Sequence, residues 1–172
     1  MGNLKIFAAE KGWAMTESEA KEFLSKSKSN LLLGTVDEVG DPNIHAVWYY
    51  FDPKSVRLYF ITTPGSKKAR NLQRRKTVYF SVDDNRSYKL RGVRGKGRAG
   101  VVTDSAIIPS VTMKLLTRYL KPKHPVTKEY ADAVRSGDSV VIEIVPTYLS
   151  TWDYRRMSPK ELKRQKEAAI PE

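Results

Sequence analysis

The spacing of apolar positions changes period along the chain, and the changes mark out its elements. Behind Thr16, the apolar residues Ala20, Phe23 and Leu24 recur at helical spacing. Thr16 reads as an N-cap with Glu17 and Glu19 in the first turn, which predicts a helix ending near Lys26. A two-residue alternation then takes over. Asn30–Val36 and Asn43–Phe51 are separated by the turn residues of Asp37–Pro42 and predict a β-hairpin. Asp52–Ser55 is a second tight turn leading into a strand over Val56–Thr62. A helix is predicted over Ser66–Arg74, followed by a strand over Thr77–Val82 with Val78, Phe80 and Val82 on one face.

From Leu90 to Thr103 the pattern is strand-like but carries Gly92, Gly95, Gly97 and Gly100, which predicts a bend or bulge. Asp104 and Ser105 are placed to cap a helix running to Leu120, and a second helix over Pro125–Arg135 is ended by Gly137. Ser139–Trp152 reads as a long strand interrupted at Pro146. Six strands in mostly hairpin order, without β-α-β alternation, predict a mainly β fold: an antiparallel barrel with peripheral helices. The expected organisation is one domain over 1–172, with a frayed segment at 1–15 and a basic helix or tail at 158–172. The glycines fit neither a dinucleotide fingerprint nor a phosphate loop.

Composition narrows the chemistry. The absence of cysteine excludes disulfides, thiolate zinc sites and cysteine nucleophiles. With only His45 and His124 as histidines, no metal centre is expected. No apolar run of about 18 residues occurs, and Met1-Gly-Asn-Leu-Lys5 lacks a signal-peptide core, so a cytoplasmic protein with no membrane association is expected. The formal net charge is +12, and Lys67 to Arg98 holds twelve basic residues against Asp83 and Asp84. That concentration favours an anionic partner: nucleic acid, an acidic surface or a phosphorylated small molecule. Solvation of strand and helix faces accounts for single lysines equally well.

The sharpest local signal is Ser66-Lys67-Lys68 at a helix start directly after a strand. Helix N-termini present unpaired N–H groups and partial positive charge, so two lysines there oppose the dipole unless an anion joins them. Ser66 can cap the helix and still offer its N–H. Trp48, Tyr49 and Tyr50 either line a site or fill the barrel, and Trp152 suits a core or an interface. His45 is a candidate proton donor or a hydrogen-bonded structural residue. Arg94, Lys96 and Arg98 share one face of a regular strand.

Three segments in this order, His45–Phe51, Phe60–Leu72 and Gly92–Ala99, resemble the pyridoxamine 5′-phosphate oxidase-like, flavin-binding split-barrel family. The similarity spans roughly Thr16–Tyr154. It implies a six-stranded split barrel, a homodimer with two flavins at the subunit interface, and hydride transfer through FMN or, in some relatives, the deazaflavin F420. By this resemblance His45, Ala46, Val47, Trp48, Tyr49 and Tyr50 lie along the flavin ring, and Ile61 and Thr62 lie beside the ribityl chain. Thr63, Ser66, Lys67 and Lys68 form the phosphate turn, Asn71 adds a hydrogen bond, and Trp152 approaches from the partner. The chain lacks the late arginine and histidine cluster of the true oxidases, since His124 precedes Trp152 and Arg155 and Arg156 have no accompanying motif. Vitamin B6 oxidation is therefore not implied. A small-molecule substrate is expected, with a nicotinamide as candidate electron donor and no identified catalytic residue. The competing expectations are a flavin binder without turnover and a nucleic-acid-binding module.

Overall fold

The computed structural model describes residues 5–8, 12–84 and 90–168. In chain order the elements are β1 (Lys5–Ala8), α1 (Glu17–Lys26), β2 (Leu31–Val36), β3 (Pro42–Val47), β4 (Tyr50–Asp52) and β5 (Arg57–Thr62). They continue with α2 (Lys67–Arg74), β6 (Thr77–Asp84), β7 (Arg91–Val101), α3 (Ile108–Tyr119), α4 (Pro125–Ser136), β8 (Val140–Asp153) and α5 (Pro159–Ala168). Arg86 and Lys89, counted in the basic stretch, and residues 169–172 of the expected tail lie outside the described residues.

The strand order is β3-β2-β6-β7-β8-β5-β4, with β1 paired to β8. Every pairing along that path is antiparallel, and β1 runs parallel to β8. The two ends of the path, β3 and β4, are joined by Trp48 and Tyr49 alone. Two extended residues span only about 7 Å, so the outermost strands must approach each other without pairing. The sheet therefore curls into a barrel with one open seam, the split barrel expected from the sequence.

Four details differ from the sequence expectation. The expected strand over Asn43–Phe51 is broken at Trp48–Tyr49, because the chain there crosses from one sheet edge to the other. Among the described residues there are eight strands rather than six: the break adds β4, and β1 forms within a segment expected to fray. Trp13 and Met15 are also tied down, with Met15 N–H donating to Thr151 Oγ1 at 3.0 Å and Asp153 N–H to Trp13 O at 2.9 Å. Finally, α3 starts at Ile108 with no side-chain cap, because Asp104 Oδ1 accepts from Ala106 N–H (2.9 Å) in the preceding turn.

Other expectations hold. Thr16 and Glu19 form a reciprocal capping box at the start of α1. Gly137 ends α4 in the left-handed conformation. The expected bulge in β7 and the interruption at Pro146 are one feature. Lys96 pairs with Tyr148 but Gly97 pairs with Pro146, so Thr147 is the extra residue, and its Oγ1 donates to Lys96 O at 3.1 Å.

The barrel interior is filled by alternating residues such as Leu31, Leu33, Phe60, Val78, Phe80 and Ile144, closed at one end by Phe23 and Leu24 of α1. A second cluster packs α3 against the outside of β5 through Tyr59, Val102, Val111 and Val141. Full burial of one such side chain contributes about 1.5–3 kcal/mol.

Arg118 at the end of α3 ties these parts together. Its guanidinium donates to the carbonyls of Leu24 (3.0 Å), Ser25 and Ser27, the unpaired acceptors at the end of α1. It also lies 4.9 Å from the centre of the Tyr49 ring. Arg118→Met leaves those carbonyls without their charged donor, and urea unfolding is expected to show a loss of about 2–4 kcal/mol. Gly95 supplies a second check. A Cβ there would stand 2.6 Å from Phe80 Cζ and 2.8 Å from the Tyr148 carbonyl, so Gly95→Ala is expected to destabilise by about 1–3 kcal/mol in the same measurement.

Candidate functional site

The corner at Trp48 opens into a cleft of about 320 Å³ between β3, the end of β5, the start of α2 and the α3–α4 hairpin. Ala46, Val47, Trp48, Ile61 and Lys68, all singled out from the sequence, line it together. Asn30, Leu115, Leu116 and Tyr130 complete the lining and were not anticipated. Their signal in the sequence is only the amphipathic spacing of α3 and α4, since nothing local says that a hairpin more than 60 residues downstream of Trp48 folds back over it.

Trp48 is 38% exposed and stacks on Tyr119 with ring centres 4.9 Å apart and planes 5° from parallel. Tyr130 leans over the same indole at 6.4 Å. Tyr49, the next residue, points the opposite way and is fully buried. Its hydroxyl donates to Leu24 O at 2.8 Å, and burial pushes its phenol well above the ordinary tyrosine range, so it stays a neutral donor. Tyr50 stacks on Tyr59 at 6.1 Å, on the side of β4 facing α3. One of the three consecutive aromatics therefore faces the cleft.

The strand-to-helix turn is built on two hydroxyls. Ser66 caps α2, its Oγ accepting from Ala69 N–H at 3.3 Å, and it lies 2.9 Å from Thr62 Oγ1. Ser66 N–H donates to Thr63 O at 3.1 Å, while the Thr63 side chain is exposed. The N–H groups of Lys67 and Lys68 stand ahead of the first intrahelical bond, which Arg70 makes to Ser66.

The two lysines are not equivalent. Lys67 Nζ pairs with Asp37 Oδ2 at 3.2 Å. That carboxylate is costly to bury, but Asn43, the Asp41 N–H and Lys67 together hold it below the ordinary aspartate range. Lys68 is half-buried and lines the cleft. Asn71, expected to add a hydrogen bond at the phosphate turn, is buried and donates through Nδ2 to Thr35 Oγ1 at 3.0 Å. Thr35 Oγ1 is in turn 3.1 Å from His45 Nε2. His45, on β3, is held below the ordinary histidine range by burial and by Lys68 and Lys67.

Trp152 lies elsewhere on the barrel. Its indole covers Gly92, where a Cβ would stand 2.2 Å from the ring, and Arg94 sits 5.7 Å from its centre. His124 caps α4, Nδ1 accepting from Val126 N–H at 3.2 Å. No helix among the described residues is long and apolar enough to cross a membrane.

Comparison with known proteins places the chain in a family. The chain is 33% identical over 105 residues to an F420H(2)-dependent biliverdin reductase of Mycobacterium tuberculosis (strain CDC 1551 / Oshkosh), covering 61% of this chain and 73% of that protein. It is similar to the crystal structure of a conserved hypothetical protein from Mycobacterium tuberculosis with a TM-score of 0.74 and 28% identity, over 87% of this chain and 94% of the other. A structure described as an F420 reductase matches with a TM-score of 0.54 and 26% identity, over 83% and 98% of the two chains. The family model described as pyridoxamine 5'-phosphate oxidase matches residues 16–153. That span takes in the seam, the turn at Ser66 and the cleft lining alike, and the chain belongs to the pyridoxamine 5′-phosphate oxidase family.

Proposed function

We propose that this protein is a flavin-type oxidoreductase that takes F420 in preference to FMN, with the cofactor ring in the Trp48 cleft and its phosphate at the start of α2. The observation that carries this reading is the joining of two surfaces in one cavity. An aromatic and aliphatic wall of Trp48, Ile61, Leu115 and Tyr130 meets the half-buried cation Lys68, and among the described residues no carboxylate lines the cleft. This donor set fits a planar cofactor with an anionic tail: N–H groups at a helix start, one ammonium, and apolar faces for a ring. F420 is favoured over FMN by the names of the two relatives that carry it, at 33% and 26% identity.

When bound, the cofactor would supply hydride from its reduced ring. The protein's part is placement. Lys68 and the N–H groups of Lys67 and Lys68 would hold the phosphate, while the bond from Asn71 to Thr35 fixes α2 against β2 and so sets that corner in advance. Trp48 and Ile61 would flank the ring, and Leu116 and Tyr130 would form the wall that excludes water and meets the substrate. Biliverdin is the first substrate to try, given the relative that reduces it.

A homodimer belongs to the same reading. Leu32, Ile44 and Tyr79 are 41%, 76% and 53% exposed on the outer face of β2, β3 and β6, and together with Arg94 and Tyr148 they line a shallow depression. An apolar patch of this kind on a curled sheet suits a second copy of the chain.

Two measurements test these statements. In fluorescence titrations with F420 and FMN, Lys68→Ala is expected to weaken binding roughly 10- to 100-fold, the loss of one charge-assisted hydrogen bond. Lys67→Ala is expected to cost less, because Asp37 already engages that side chain. Unchanged affinity in Lys68→Ala would remove the phosphate assignment. Light scattering is expected to give a dimer for the wild type and a monomer for Ile44→Glu, and a monomeric wild type would sink the interface.

A further inference from the structure

His45 stands beside Thr35 and within reach of the charges of Lys67 and Lys68, and its surroundings can serve two protonation states. In the pairing of β2 with β3 it lies opposite Leu33, so Thr35 is its diagonal neighbour. Thr35 Oγ1 already accepts from Asn71 Nδ2, which leaves its own proton for His45 Nε2. That arrangement suits a neutral imidazole carrying its proton on Nδ1. Rotation of the same hydroxyl offers a lone pair instead, which suits an imidazolium donating from Nε2. Either form keeps a partner, and little rearrangement separates them.

The charges nearby come from one helix face. Asn71 is four residues after Lys67 and three after Lys68, so the side chain that reaches Thr35 shares its face of α2 with both lysines. The groups acting on the imidazole are Thr35 from β2, Asn71, Lys67 and Lys68 from α2, and, through its pair with Lys67, Asp37 of the turn between β2 and β3. In the free protein the two ammonium groups and partial burial favour the neutral ring. An anion bound at the start of α2 cancels that repulsion and adds an attraction.

We propose that occupation of the anion site at the start of α2 is coupled to protonation of His45, so that the protein takes up a proton as it takes up the cofactor's phosphate. The inference rests on the phosphate placement given under Proposed function. Its sign follows from linkage: the extra affinity is fully present below the free-protein titration midpoint of His45 and is lost as pH rises through the midpoint of the complex.

The chain has two histidines, His45 and His124, so NMR of ¹³C-histidine-labelled protein resolves both, and His124→Gln assigns them. His124, occupied in capping α4, serves as the internal reference. Titrated from pH 5 to 8 without ligand and then saturated with F420 or with FMN, His45 is expected to move its midpoint upward by about one unit. In parallel, the ratio of wild-type to His45→Gln affinity is expected to grow as pH falls, by about tenfold across one unit of midpoint separation. Reading the ratio removes the titration of FMN's own phosphate, which falls near pH 6. Tight binding with a fixed His45 midpoint and a flat ratio would overturn the coupling and leave the proposed function standing. No binding of either cofactor would overturn both.

Discussion

The chain has two residues in which to pass from one edge of an eight-stranded sheet to the other, and Trp48 and Tyr49 make that passage. Tyr49 goes inward, where its ring fills the end of the barrel and its hydroxyl caps a carbonyl at the end of α1. Alternation then turns Trp48 outward into the seam. The seam cannot be closed by strand pairing, so its walls come from what packs beside it: the start of α2 on one side and the α3–α4 hairpin on the other. Tyr119 reinforces the corner, its hydroxyl accepting from Tyr49 N–H and lying within 3.3 Å of Tyr49 O while its ring stacks on Trp48. The same side chain that terminates α3 thus fixes both the backbone crossing and the aromatic surface of the cleft.

Electrostatics follow from this frame more than from the total charge of +12. Several cations meet carboxylates at the surface, including Lys26 with Glu22 at 2.6 Å and Arg74 with Glu38 at 2.5 Å, and such exposed pairs contribute little to stability. Others lie over aromatic rings, as Lys96 does over Tyr79 and Arg94 over Trp152. Arg118 is employed differently, capping the half-buried end of α1. Lys68 is distinguished by its position rather than its chemistry, since it alone among the cations of α2 lines the cleft.

Much of this was legible in the chain before folding was considered. Thr16 with Glu19, Ser66 ahead of α2 and Gly137 after α4 are local devices whose chemistry involves residues within one turn, so their placement follows from neighbours in sequence. The alternation of Val78, Phe80 and Val82 determined which face of β6 is buried, and the order of hairpins determined the antiparallel barrel. The turn at Ser66-Lys67-Lys68 was recognisable as electropositive because a helix start needs no distant partner to carry partial positive charge.

Tertiary structure decided everything that depends on residues far apart in the chain. An unbroken run of strand-forming residues at Asn43–Phe51 gives no notice of a corner, because the break arises from barrel closure and not from local preference. Spacing placed Asn71 beside the phosphate turn, yet a hydroxyl from β2, 36 residues earlier, captures its amide. Asp37 claims Lys67 across a similar separation and leaves Lys68 as the lysine at the cleft. Leu115, Leu116 and Tyr130 became part of the site only when their hairpin docked on β5. Most of the elements, the caps of α1, α2 and α4 and the electropositive turn follow from contacts within a few residues and were written locally in the chain. Which lysine, which aromatic and which helices meet in one cavity was settled by burial and closure of the sheet, which no local pattern encodes.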